Sequence, residues 1–283
     1  MDMGLLLLEC MKKFRAIYRL AILITICLAF LFPVWLMIMN SFTPAMGFLR
    51  MPPRLIPYTF ILKNYAQIFA IRQLPRWLIN TAIVMGVTII GGVLVNGAAG
   101  YVFAFARFRF LKPLFVALLI PIFVCGYTTI IAKFVIVGAL MLPPIVAVLS
   151  MAVFWPTGIY LFRNYFSSMP VSLVESARLD GASEWLILMR VVLPVCKPIL
   201  GACMVFLGMG ALGSYVWQML NLQLIETRTL IVGLILSAID VYAVKNIGYE
   251  MAVGTILFLP YLLIFSFSSR YFVEGLTGGA LKA

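Results

Sequence analysis

Of the 283 residues, 64% are hydrophobic and 11% charged, against about 45–50% and about 25% in soluble domains. Long uncharged runs leave no polar exterior for a water-soluble fold of this size, so the solvent is lipid. The formal charge of +12 is spread through short connectors rather than gathered on one face, which speaks for membrane orientation and against nucleic acid as a partner.

The chain holds no histidine and only nine acids, so the side chains of a zinc site or a Ser/His/Asp triad are missing. We therefore expect no catalytic residue, no metal ligand and no enzymatic activity. Cys10, Cys27, Cys125, Cys196 and Cys203 show no CxxC spacing and read as small hydrophobes.

Six uncharged apolar stretches are long enough to cross a bilayer as helices: residues 20–40, 77–103, 114–131, 144–161, 199–220 and 251–268. The expected fold is all-α, a polytopic membrane protein with six transmembrane helices. Lys12, Lys13, Arg15 and Arg19 precede the first stretch. It is too long for a signal peptide and lacks a convincing cleavage site, so it counts as a span. With the N-terminus cytoplasmic, thirteen of the 21 Lys and Arg residues lie inside, leaving eight outside. Arg50, Arg54, Lys63, Arg72 and Arg76 in the outer segment run against that bias, but the basic group before the first helix decides for both termini inside.

In the outer segment, Pro52, Pro53 and Pro57 predict an extended arm, and residues 64–71 a short interfacial helix; a plain spacer is the alternative. Gly91, Gly92, Gly97, Ala98, Ala99 and Gly100 in the second span let a neighbouring helix approach closely.

Residues 175–194 stand out in the longest inner connection. Ser172 and Glu175 fit a capping box, and Gly181 suits the left-handed position that ends a helix. Ser183 can cap a second short helix that Pro194 stops. Trp185, Leu186 and Met189 would anchor this elbow, leaving Glu175, Arg178, Asp180 and Glu184 as a polar knob toward the cytoplasm. Physics alone leaves two readings open, a docking knob for a partner and a well-capped solvent loop.

The run Glu175-Ser176-Ala177-Arg178-Leu179-Asp180-Gly181, nine further residues, then Val191-Val192-Leu193-Pro194 resembles the EAA signature of bacterial ABC importer permeases. Five fixed positions match identically, with Ser176 for Ala and Val191 for Ile. From about residue 15 onward the chain is similar to the carbohydrate-uptake, MalG-like members. Ser41 to Pro44 with Asn64, Tyr65 and Phe69, then Asn80-Thr81, residues 101–110, residues 162–166 and the tail from Gly275 to Lys282 carry that likeness.

The resemblance implies the transmembrane domain of a type I ABC importer, forming half of a pore in the bacterial inner membrane. Implied partners are a second, MalF-like permease subunit, two copies of an ABC ATPase that carry the ATP and Mg, and a periplasmic or lipid-anchored solute-binding protein. The chain has no GxxxxGK[ST] loop and is expected to bind no cofactor itself. Glu175, Ser176, Ala177, Arg178, Asp180, Gly181 and Ala182 would form the ATPase-coupling elbow, and Gly181→Asp would abolish uptake.

The implied division is an N-terminal part with the first helix and outer arm (1–71), a permease core (72–270) containing the coupling loop (166–198), and a cytoplasmic tail (271–283). The chain departs from the family in the fifth span, where Leu212-Gly213-Ser214-Tyr215-Val216-Trp217-Gln218 replaces its Trp-Asn-acid pattern, and this bears on the substrate. Candidates for a substrate path are Asn96, Tyr127, Thr128, Tyr215, Trp217 and Gln218, whose amides, hydroxyls and aromatic faces suit a sugar. The rival readings are an ion-coupled secondary transporter, which six uncharged spans and no obvious repeat disfavour, and a non-transporting membrane assembly subunit.

Overall fold

The structure is a computed structural model describing residues 3–44, 56–57, 59–241 and 246–280. The elements in chain order are α1 (Met3–Ser41), α2 (Lys63–Phe69), α3 (Leu74–Phe105), α4 (Leu111–Leu119) with a 3-10 turn (Ile120–Phe123), α5 (Ile130–Ala139), α6 (Pro144–Val153) and α7 (Pro156–Ser167). There follow α8 (Val171–Leu179), α9 (Glu184–Ile187), a π-helical turn (Leu188–Val192), α10 (Leu193–Val195), α11 (Lys197–Gly213), α12 (Tyr215–Asn221), α13 (Leu230–Val241) and α14 (Ile247–Ala280). No strand occurs among the described residues.

The chain divides into two compact units, Met1–Ile71 with Ser237–Ile256, and Arg72–Leu236 with Leu257–Ala283. In the first, the end of α1 is knotted to the helix expected after the arm. The Asn64 amide donates to the carbonyls of Ser41 and Thr43 at 2.8 and 3.1 Å, and the Ser41 and Tyr65 hydroxyls are 2.6 Å apart. Phe42 packs on Phe60 and Tyr65. The arm expected around Pro52 and Pro53 lies outside the described residues.

In the second unit α3 is the central post. Its glycines carry the close approaches expected of them: a Cβ on Gly100 would meet Phe162 Cβ at 2.6 Å and the Arg163 backbone nitrogen at 3.0 Å, so α7 packs backbone to backbone there. At its other end Trp77 Nε1 donates to the Ile225 carbonyl, Asn80 to those of Glu226 and Arg228, and the Leu230 N–H donates to Thr81 Oγ1. These bonds hang the segment before α13 on α3. That helix is apolar but only 12 residues long, too short to be found by a search for spans.

Six unbroken spans are not found among the described residues. Lys13–Ser41, Leu74–Phe105 and Ile247–Ser266 are long and apolar enough to cross a membrane, and the pair Glu184–Val195 with Lys197–Gly213 qualifies only when taken together across a 92° bend. Prolines account for two of the breaks. Pro121 sits in the 3-10 turn that ends α4, and Pro156 forces Trp155 before it into extended backbone, φ −133°, splitting the fourth stretch into α6 and α7.

Backbone freed by a break inside lipid must find partners. Asn96 supplies them at residues 153–155: its Nδ2 donates to the Val153 carbonyl at 2.9 Å and to that of Gly92, and its Oδ1 accepts from the Trp155 N–H at 3.0 Å. Gln218 does the same at the break between α11 and α12. Its Nε2 donates to the Ala211 carbonyl and Ser214 Oγ, and its Oε1 accepts from Thr229.

Candidate functional site

The elbow at residues 175–194 has the shape its glycine predicts. Gly181 takes φ +79°, and the Gly181 and Ala182 N–H groups donate to the carbonyls of Arg178 and Ala177 at 3.0 and 3.1 Å. This is a Schellman ending for α8. Nothing lies within 4 Å of the place a Cβ would occupy on Gly181, so glycine is required there by backbone conformation and not by crowding. Ser183 caps α9, accepting from the Leu186 N–H at 3.4 Å.

Three local expectations are corrected. α8 begins after Pro170, which offers no side-chain cap, so Ser172 and Glu175 form no capping box. Pro194 does not stop the second helix, since the chain passes through a π turn and α10 and bends only at Cys196. The π turn leads directly into Pro194, with the Leu193 N–H donating to the Leu188 carbonyl.

The anchors differ as well. Trp185, Leu186 and Met189 are exposed, while Val174, Ile187, Leu188 and Val192 are buried with Tyr101 and Phe105 of α3 and Phe162 and Phe166 of α7. Helical phase selects Ile187, Leu188 and Val192 together, and the π turn keeps Val192 on that face. Burying four aliphatic side chains stabilises the attachment by about 1.5–3 kcal/mol each. The elbow is thus a rigid extension of α3 and α7.

A polar latch orients it. Arg178 grips Glu184 through two bonds of 2.7 and 3.1 Å, and the Tyr101 hydroxyl donates to the same carboxylate at 2.5 Å. These bonds, that from Arg178 above all, hold the Glu184 carboxyl below the usual carboxylate range. The ion pair is half exposed, worth at most about 1 kcal/mol, so apolar packing holds the elbow and the latch sets its angle. Glu175 stands 3.9 Å from Arg107, both exposed. Asp180 and Ser176 are exposed, and Ala177 and Ala182 pack against the buried cluster. A groove of about 720 Å³ runs beside the elbow, lined by Phe105, Arg107, Glu175, Arg178, Glu184 and Trp185 among others. Leu179, at the elbow's outer flank, is 89% exposed. Burial pushes the Cys196 thiol at the bend up to about 12, as for an inert packing residue.

The six substrate-path candidates are not gathered in one place. Asn96 and Gln218 are buried with their amides committed to the helix breaks. Thr128 donates to the Cys125 carbonyl, and the Tyr215 hydroxyl contacts Met219 Sδ at 3.1 Å. Tyr127 and Trp217 do line a cavity of about 490 Å³, together with Thr88, Lys133, Trp155 and Phe206. None of these last four was singled out from the sequence as a site residue. The available signal was Lys133, the one charged residue between Lys112 and Arg163.

Residues 92–278 match the family described as "Binding-protein-dependent transport system inner membrane component", and the chain belongs to that family of transport permeases. The arabinooligosaccharides transport system permease protein AraQ of Bacillus subtilis is 27% identical over 282 residues, covering 94% of this chain and 97% of that protein. The trehalose/maltose transport system permease protein MalG of Thermococcus litoralis is 29% identical over 286 residues, covering 97% of this chain and 98% of that protein. In the crystal structure of a bacterial ABC transporter that imports the acidic polysaccharide alginate, one chain superposes with a TM-score of 0.77 at 19% identity, covering 92% of this chain and 97% of that one. That likeness is one of fold, and the fold is that of an ABC importer permease.

Proposed function

We propose that this chain forms half of the translocation pore of an ATP-driven importer for a sugar or oligosaccharide, and that the 175–194 elbow takes up the motion of a separate ATPase. Family membership supports the importer reading, and the sugar follows from relatives named for arabinooligosaccharides and for trehalose and maltose. One observation carries the coupling role. The elbow turns on Gly181 at φ +79°, with its inner side locked into α3 and α7 and Leu179 exposed on its outer flank. A rigid knob of that kind transmits displacement to the membrane helices instead of absorbing it.

In this assembly Glu175, Ser176, Ala177, Arg178, Asp180, Gly181 and Ala182 face or shape the ATPase contact. The partners are a MalF-like permease, two ATPase copies holding ATP and Mg, and an external solute-binding protein. Both termini are cytoplasmic, with the core at 72–270 between the N-terminal part (1–71) and the tail (271–283). The test is reconstitution of the complex in proteoliposomes with its binding protein. We expect sugar uptake to require internal ATP and to stop when the ATPase is omitted. Uptake that continues without the ATPase, driven by an ion gradient, would overturn the reading in favour of a secondary transporter.

A further inference from the structure

The cavity of about 490 Å³ holds features that helix packing leaves unexplained. Lys133 on α5 lines it, and no Asp or Glu does. Among the described residues Lys133 forms no ion pair. Thr88 and Trp217 line the same cavity, are 2% and 8% exposed, and keep Thr88 Oγ1 and Trp217 Nε1 buried without a hydrogen-bond partner. Those two atoms are sealed from the cavity space, so Lys133 is the charged group that lines it. Around it Trp155 and Phe206, with ring centroids 5.9 Å apart, and Tyr127 present aromatic faces. Thr88 stands near the middle of the 32-residue α3, so the cavity lies deep in the membrane.

A cation at such depth is costly unless something compensates it. That cost falls if an anionic ligand occupies the space beside Lys133. Aromatic faces beside a few convergent polar groups also describe a sugar site. We propose that this cavity binds a sugar carrying an anionic group, with Lys133 pairing the carboxylate or phosphate and Trp155 and Phe206 covering a ring face. This rests on the importer reading above and narrows its substrate to acidic carbohydrates.

Cys125 also lines the cavity and is exposed, which provides a local readout. The assembled complex in nanodiscs is treated with neutral methyl methanethiosulfonate, and protection of Cys125 is followed by peptide mass spectrometry. The probes are trigalacturonate, its uncharged methyl ester and glucose 6-phosphate. A charge-assisted contact predicts that at least one charged probe protects at a concentration about tenfold or more below that of the ester. Whichever does so identifies carboxylate or phosphate. Lys133→Gln should remove that preference while leaving protection by the ester within about twofold, and Lys133→Arg should retain it.

Equal protection by charged and uncharged probes, a preference that survives Lys133→Gln, or protection by none of the three would each overturn the proposal. ATP-dependent uptake of a neutral sugar alongside any of those results would leave the importer reading standing and sink only this one.

Discussion

At Gly181 the backbone angle and the space around it give opposite answers about substitution, and that separates shape from contact. An L side chain held in the left-handed region costs about 1–2 kcal/mol, least for Asn and Asp and most for β-branched residues. The absence of any atom within 4 Å of a Cβ at Gly181 removes steric collision within the chain as a cause. If the ATPase binds the elbow only with Gly181 at φ +79°, and the free elbow of a variant relaxes from that angle, the strain appears as lost affinity. At about 1.4 kcal/mol per tenfold, Gly181→Val should weaken ATPase binding by about 10–30-fold, and Gly181→Ala by about 5-fold. Gly181→Asn should stay within about 2–3-fold. Gly181→Asp preserves the backbone shape as Asn does and adds a charge, so any loss beyond that of Asn measures the contact itself. The assay is titration of purified ATPase onto the permease pair in nanodiscs, with uptake measured in parallel and membrane levels checked by immunoblot. Val binding as tightly as wild type would refute the backbone argument. Asn failing as badly as Val would place the whole effect in the surface contact.

Three further expectations follow from the same unit. Because Glu184 is held below the ordinary carboxylate range, its latch is complete above about pH 4.5 and is lost only as the pH falls through the lower folded value. Tyr101→Phe and Glu184→Gln should each speed amide exchange over residues 171–187 by about 5-fold at pH 7, with wild type approaching the variants in strong acid; unchanged exchange in both would discount the latch. Gly100→Ala presses on Phe162 Cβ at 2.6 Å and the α7 backbone at 3.0 Å, whereas Gly92→Ala presses first on the two Leu207 methyl groups at 2.8 Å. The first should cost about 1–3 kcal/mol and the second less than about 1, read as thermal midpoints of the solubilised complex, and equal midpoints would contradict the packing. Asn96→Leu leaves the Trp155 N–H and Val153 carbonyl unpaired, a loss of about 2–5 kcal/mol together, and an unaltered unfolding midpoint would show that other groups close the break.

Legibility in the sequence followed the range of the interaction. Gly181 and Ser183 were found because a left-handed helix end and an N-cap are decided within a few residues of chain. The close-approach role of Gly92 and Gly100 was also legible, since a glycine cluster in an apolar helix has few other uses. That Asn96 and Gln218 close helix breaks was not legible, for a nonlocal reason. An amide in a span suits a lumen or a broken neighbour equally well, and the break Asn96 closes lies 57 and 59 residues away. Lys133 lies two residues beyond the 114–131 stretch and so escaped the reading of the spans, which the 3-10 turn at Pro121 breaks.

Composition and hydropathy by themselves determined that this chain lives in lipid as helices, and the spacing around Gly181 determined where the 175–194 elbow turns. Those properties depend on solvent transfer and on local backbone angles. Tertiary structure alone decided which face of the elbow is buried, which helices break, and that Thr88, Lys133, Trp155, Phe206 and Trp217 share one cavity. The physical reason is that apolar helices in lipid carry no strong periodic signal distinguishing lipid-facing from packed sides. The residues that meet across α3 are therefore set by glycine contacts and helix breaks that appear only once the chain is folded.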